Sequence, residues 1–272
     1  MTGETLSYAG KRVVVTGCYS GIGQATARLL LDLGARVHGL DLRPNDLPLD
    51  GFTPLDLRDV ASIEAAAEAV EGRVDALFNC AGIPPGPPPL DVMKVNFIGT
   101  RHLTELLVPR MGSGGAIANV ASNGGAGWSR NVPRLLDLIG TDSFDTAAAW
   151  FGANGDDVPA AYSFSKEAII VWTLSLSSTL IKQGIRVNCT SPGAVQTPML
   201  DEIERVTPSE LIDVMAQPIG RRSDAAEQAV PLVFLNSDAA SYGNGVVLPV
   251  DGGFLAAQAI AQRGAPASPG RR

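Results

Sequence analysis

The sequence predicts an α/β fold, a single domain built on a doubly wound parallel sheet of about seven strands with helices on both faces. Three observations carry this reading. Short apolar runs rich in β-branched residues recur along the 272 residues. Between them lie stretches of about ten or more residues with helical apolar spacing, which parallel crossovers require. A glycine-bearing turn joins the first run to the first helical stretch.

Lys11 to Thr16 (KRVVVT) reads as a buried strand, because its valines favour extended backbone. Ile22 to Leu33 has apolar residues on one helical face and closes at Gly34, which suits a left-handed cap. Arg36 to Leu40 is a second strand, and a third ends just before Asp56. Val74 to Asn79 (VDALFN) is a strand, and Leu90 to Val108 is mostly helical. Gly115 to Ala121 (GAIANVA) is a strand, and Ala160 to Gln183 is a long helix. Ile185 to Thr190 (IRVNCT) is a strand, Asp224 to Leu235 a helix, and Val246 to Val250 the last strand. Asp41 to Pro54 is too short for a full crossover helix, and so is Gly82 to Leu90, which carries five prolines. Asn123 to Pro159 is too long for a structureless loop. Two short helices are expected within it, around Pro133 to Ile139 and Ser143 to Phe151. No repeat or linker divides the chain, so residues 1–263 form one domain, with a helical insert at about 123–159. The segment from Gly264 (GAPASPGRR) has the composition of a flexible tail.

Hydrophobic residues make up 45% and charged residues 18%, enough for a sizeable core and too apolar for general disorder. Lys plus Arg number 21 against 28 Asp plus Glu, a formal charge of -7. A nucleic-acid partner needs a basic face, and the chain offers only pairs such as Arg221-Arg222 and Arg271-Arg272. No apolar run is long enough to span a bilayer. Met1 to Ala9 lacks the basic start and apolar centre of a secretory signal, so a cytoplasmic location without membrane partners is expected. Cys18, Cys80 and Cys189 are widely spaced, without a C-x-x-C, and suit buried thiols in a reducing compartment. The two histidines, His38 and His102, fall inside expected elements, so no metal site is expected.

The turn Thr16-Gly17-Cys18-Tyr19-Ser20-Gly21-Ile22-Gly23 lies at the first strand-to-helix junction. Glycines there permit positive φ and let the backbone approach a pyrophosphate, which the helix N-terminus attracts. Asp41 ends the second strand 18 residues after Gly23, close to the ~20 expected of a carboxylate that accepts both adenosine ribose hydroxyls. It would repel a 2′-phosphate, and neither Tyr19 nor Ser20 brings the positive charge such a phosphate wants. Arg43 lies nearby, yet NAD is expected over NADP. Further along, Tyr162 and Lys166 are one helical turn apart and share a face. A free tyrosine ionises near pH ~10 and is a poor base at neutrality. An ammonium beside it, with the positive ring of an oxidised nicotinamide, favours the phenolate.

With T-G-x-x-x-G-x-G, Asn79-Cys80-Ala81-Gly82, Asn96 in V-N-F-I-G, Ser122, Y-x-x-x-K at Tyr162 and Lys166, and Ser191-Pro192-Gly193 with Thr197, the chain resembles the short-chain dehydrogenase/reductase family. The resemblance covers roughly residues 9 to 255 and implies a Rossmann-like sheet and an NAD(P)-dependent enzyme acting on CH–OH groups. It implies that Tyr162 takes the hydroxyl proton, that Ser122 polarises the oxygen, and that Lys166 tunes Tyr162 and contacts the nicotinamide ribose. Asn96 would hold a water that relays protons to Lys166. Gly17, Tyr19, Ser20, Gly21, Ile22 and Gly23 would cradle the dinucleotide, with Asp41 and Leu42 at the adenosine ribose and Asp56 and Leu57 at adenine. Asn79, Cys80, Ala81 and Gly82, and then Pro192, Gly193, Val195 and Thr197, would complete the cofactor site.

Ser122 and Tyr162 are 40 positions apart, a longer gap than the family usually has, while the stretches after Asp41 and Gly82 are trimmed. This combination resembles the branch of bacterial hydroxysteroid dehydrogenases/carbonyl reductases and coniferyl-alcohol dehydrogenases. The expected substrate is a hydrophobic, cyclic or steroid-like secondary alcohol and its ketone. An aryl allylic alcohol or a natural-product ketone is the alternative. The other class of reading is a non-catalytic dinucleotide sensor; such proteins lose the tyrosine or lysine, and here both remain. The apolar insert (Trp128, Leu135, Leu136, Ile139, Phe144, Trp150, Phe151) must be buried. It either covers the helices that build the family's tetramer contact, which leaves a homodimer, or walls the substrate cleft; the first is preferred, with a tetramer as the alternative assembly. Ala194 to Pro218 is expected to be a substrate lid.

Overall fold

The computed structural model describes residues 6–158, 160–205 and 207–261. Seven strands, β1 (Arg12–Thr16), β2 (Arg36–Asp41), β3 (Gly51–Pro54), β4 (Val74–Asn79), β5 (Met111–Val120), β6 (Arg186–Pro192) and β7 (Val247–Val250), form one sheet in the order β3-β2-β1-β4-β5-β6-β7. Every neighbouring pair is parallel. Successive side chains of β1 point to opposite faces. Val13 and Val15 therefore join the core under α1 (Gly21–Asp32) and α10 (Ala225–Asn236). Val14 joins the core on the other side, with Ile63 of α2 (Val60–Ala69), Leu103 and Leu107, and Ala168 to Trp172. β1 and β4 are neighbours although two strands intervene in sequence. The winding reverses between them, and a crevice opens beyond their carboxyl ends.

The elements follow the expected order with three differences. The helix α2 was not anticipated. Its sequence VASIEAAAEA offers mostly alanine, so the apolar stripe is weak, and Asp59 defines its start by accepting the Ala61 N–H. The stretch from Leu90 is not one regular helix. It runs as α3 (Pro89–Met93), a π-turn at Lys94–Ile98, and α4 (Gly99–Leu107). β5 starts earlier than expected, at Met111, because the register with β4 shifts between Val74 and Ala76. Between β2 and β3 no helix intervenes, as the short interval required.

The insert forms α5 (Val132–Ile139) and α6 (Phe144–Asn154), followed by the long α7 (Ala161–Leu180). Leu135, Leu138, Phe144, Ala147 and Phe151 are buried in the same core cluster as Ile169 and Trp172 of α7, whereas Leu136, expected to be buried, is exposed because it falls on the outer face of α5. Arg101 of α4 is 1% exposed and donates to the carbonyls of Leu138, Ile139 and Ser143 and to Thr141 Oγ1, gathering the turn between α5 and α6. The insert thus lies over the α4 and α7 side of the sheet. After β6 come α8 (Pro198–Glu204) and α9 (Ser209–Val214), and β7 leads to α11 (Phe254–Ala261). The expected tail from Gly264 lies outside the described residues.

Candidate active site

The crevice at the carboxyl ends of β1 and β4 holds a cleft of about 340 Å³. Its near wall is the glycine turn. Gly17 has φ +69° and lies so close to Ala81 that a Cβ would stand 2.7 Å from the Ala81 Cα. A Cβ on Gly23 would meet the Gly17 carbonyl oxygen at 2.1 Å. Only bare backbone permits this packing. Ser20 precedes α1 in extended conformation and makes no side-chain capping bond, so the first N–H groups of α1 are left for a ligand. Thr16 Oγ1 accepts the N–H groups of Cys80 and Ala81, both at 3.1 Å, and pins the loop after β4 against this turn.

Asp41 closes the cleft at one end. Its Oδ2 accepts the Tyr19 N–H at 2.9 Å and its Oδ1 the Arg43 N–H at 3.3 Å, which holds the carboxylate beside the turn. The Arg43 guanidinium stacks 4.2 Å above the centre of the Tyr19 ring. Asp56 and Leu57 line an adjoining cavity of about 200 Å³ with Asp41, Leu42 and Gly82. Asp56 forms a two-pronged pair with Arg58, at 2.9 and 2.7 Å, and this bond holds its carboxyl below the usual range.

At the other end stand Ser122, Tyr162 and Lys166. Ser122 follows β5 in extended conformation, its Oγ accepting the Gly124 N–H at 3.1 Å. Tyr162 and Lys166 come from the first turns of α7, and the Lys166 Nζ lies 5.8 Å from the centre of the Tyr162 ring. Burial raises the Tyr162 phenol above its ordinary value, while a hydrogen bond from Ser122 lowers it. Lys166 is 4% exposed, and burial brings its ammonium down to about 8. Its Nζ donates to the Val120 carbonyl at 3.1 Å.

Two expected site residues stand behind the cleft rather than in its wall. Asn96 occupies the π-turn and spends its amide on protein: Oδ1 accepts the Ile83 N–H at 2.8 Å, and Nδ2 donates to Ile83 O and Ser165 Oγ. It still reaches the site, since the space beside Gly82 is bounded by Asn96 Oδ1 and Lys166 Nζ together. Asn79 is 3% exposed and donates to Thr104 Oγ1 and Asn119 Oδ1 inside the sheet. It ends β4 as the sequence predicts, and strand alternation turns its side chain inward. The remaining expected residues, Cys80, Ala81, Gly82, Pro192, Gly193, Val195 and Thr197, line the cleft. Ile83 and Pro84, for which no role was expected, also line it, and Glu202 and Ile203 do so from the expected lid. The clamp between Asn96 and Ile83 has no signature in sequence, because the two meet only through the π-turn.

The sequence matches the short chain dehydrogenase family over residues 11–133 and the family described as enoyl-(acyl carrier protein) reductase over residues 147–255. It is 35% identical to a coniferyl-alcohol dehydrogenase of a Pseudomonas species, over 92% of this chain and 98% of that one. The protein is a short-chain dehydrogenase/reductase. As a member it is an NAD(P)-dependent oxidoreductase acting on alcohols. The 3-alpha-hydroxysteroid dehydrogenase/carbonyl reductase of Comamonas testosteroni is 31% identical over 89% of this chain and 95% of that one. Among solved structures, the 3-alpha-hydroxysteroid dehydrogenase of a Pseudomonas species, complexed with NADH, superposes with a TM-score of 0.77 at 28% identity, covering 94% of this chain and 100% of that one.

Among the described residues no group of three or more His, Cys, Asp or Glu could hold a metal ion, and no helix is long and apolar enough to cross a membrane.

Proposed function

We propose that this short-chain dehydrogenase/reductase uses NAD to oxidise a hydrophobic secondary alcohol, cyclic or steroid-like, and reduces the matching ketone in reverse. The observation that carries the reading is the convergence of Ser122, Tyr162 and Lys166 on the cleft that Gly17, Gly21, Gly23 and Asp41 also line. The side-chain-free cradle and the uncapped start of α1 fit a dinucleotide pyrophosphate. Asp41, already oriented by two backbone N–H groups, fits two ribose hydroxyls and disfavours a 2′-phosphate. When bound, the nicotinamide supplies the hydride acceptor. Tyr162 removes the hydroxyl proton, and Ser122 donates to the substrate oxygen as charge develops on it. Lys166 holds its positive charge within reach of the phenolate and lends its N–H groups to the ribose. Asn96 orders the loop at Ile83 and completes the path from Lys166. Met199, Leu200 and Ile203 of the lid, with Ile83 and Pro84, give the substrate end an apolar wall. This favours a hydrophobic ring over a sugar.

A second reading, oxidation of an aryl allylic alcohol, is favoured by the 35% identity to the coniferyl-alcohol dehydrogenase. Formation of NADH from a steroid alcohol, small cyclic alcohols and coniferyl alcohol, compared as kcat/KM, separates the two. Turnover of none of them with either dinucleotide would overturn the enzymatic reading and restore the sensor. The burial of the insert over α4 and α7 supports assembly as a cytoplasmic homodimer rather than a tetramer through those helices.

A further inference from the structure

One charged side chain beside the site has no part in the chemistry above. Glu167 follows Lys166 directly in α7 and is 7% exposed. A buried carboxylate is costly unless it is held. Its Oε2 accepts the Asn131 Nδ2 at 2.7 Å, and Asn131 ends the turn region that begins at Ser122. Its Oε1 lies 2.7 Å from where a Cβ of Gly127 would be, and the Arg130 guanidinium approaches the same point to 3.0 Å. In the same turn region, Gly125 sits on the backbone of the catalytic helix. A Cβ there would stand 2.8 Å from the Lys166 carbonyl carbon and 3.0 Å from the Glu167 nitrogen. The segment from Ser122 to Asn131 is therefore seated on α7 at two places, backbone to backbone at Gly125 and side chain to side chain at Glu167. Trp150 of the insert stacks on Phe164 of α7 at 6.3 Å, steadying the other side of the same helical turn.

We propose that Glu167 is a positioning residue, which acts through the Asn131 clamp to hold Ser122 at hydrogen-bonding reach of Tyr162 and of the substrate oxygen. This rests on the catalytic reading of Ser122 and goes beyond it by giving the family-atypical insert a catalytic task. Small displacements at a reacting centre are expensive, with about 1 Å costing up to ~100-fold in rate.

The test is a double-mutant cycle on the full-length protein, with NADH formation followed below the onset of unfolding for each variant. Glu167→Ala should lower kcat by roughly 10- to 100-fold with the NAD dissociation constant unchanged. In a Ser122→Ala background the same substitution should lower it less than about twofold, because its route is already cut. Glu167→Gln, which still accepts from Asn131, should recover most of the rate. Asn131→Ala breaks the clamp from the insert side and serves where Glu167→Ala does not fold; it should show the same dependence on Ser122. Equal losses with and without Ser122 would overturn the proposal, and so would a wild-type kcat in Glu167→Ala or in Asn131→Ala. Should Ser122→Ala itself turn over normally, the catalytic reading fails first, a result distinguishable from failure of the clamp.

Discussion

In the proposed reaction Tyr162 carries the chemistry and Lys166 the electrostatics, and each makes a separate prediction. Tyr162→Phe removes only the phenolic oxygen, so turnover should fall by about 10²- to 10⁴-fold while NAD affinity stays within about threefold. Stopped assays for residual NADH formation and a fluorescence titration of NAD check the two halves; a near-normal rate would refute the base assignment. Lys166 titrates at about 8 when folded, against ~10.4 in an unfolded chain. Between those values the unfolded chain holds a proton that the folded one has released, so this group makes stability rise with pH from about 8 to about 10.4, and its full cost is present below pH 8. Lys166→Met removes that dependence. Urea unfolding at pH 7 and pH 10.5 should show wild type gaining on the variant by about 3 kcal/mol across the window. Parallel pH dependences would show that the ammonium is not buried. At the adenosine end, Asp41→Ala should relax the preference for NAD over NADP, leaving Arg43 to meet a 2′-phosphate; an unchanged ratio of kcat/KM values would remove Asp41 from the ribose.

At the scale of elements, what was legible depended on whether a segment's own residues dictate its conformation. β1, with its three consecutive valines, and α1, with Gly34 at φ +83° behind it, were readable because strand propensity and a glycine cap are local properties. Ser143 and Thr146 likewise form a capping box that marks the start of α6. The π-turn around Asn96 was not readable. Directly after it Gly99 approaches the Leu57 carbonyl, where a Cβ would stand at 2.1 Å, and that neighbour is remote in sequence. The insert depends on one buried cation in the same way. Burial lowers the Arg101 pKa, and the residue offsets its placement by satisfying the carbonyls between α5 and α6 and by pairing with Glu105. Arg101→Met keeps the bulk and strands those acceptors, so it should destabilise the fold by about 2–4 kcal/mol in urea titration, with little change in NAD affinity. A change below about 0.5 kcal/mol would show that the turn between α5 and α6 is held elsewhere.

At the scale of the whole molecule, the proposed homodimer rests on the insert covering the surfaces that a larger assembly would use. The insert's apolar residues Leu135, Leu138, Phe144 and Phe151 belong to the main core, so they are not available for a partner. The full-length protein should therefore elute as two copies in size exclusion with light scattering. Removing residues 131–157 should expose the α4 and α7 faces and convert it to larger species or aggregate. A soluble dimer after the deletion would show that the insert does not govern assembly. The two alternatives left by the sequence, cover or cleft wall, separate here as well, since none of the described residues from 123 to 158 lines the 340 Å³ cleft.

By itself the sequence determined the sheet, the glycine turn that follows β1 and the pairing of Tyr162 with Lys166. Each is a matter of spacing along one strand, one turn or one helix, and such geometry is set by backbone periodicity. Tertiary structure alone decided that Asn79 turns inward, that Asn96 is spent on Ile83, that the Tyr162 phenol is buried, and that Glu167 meets Asn131. These contacts join segments far apart in the chain, and only burial and packing choose between them.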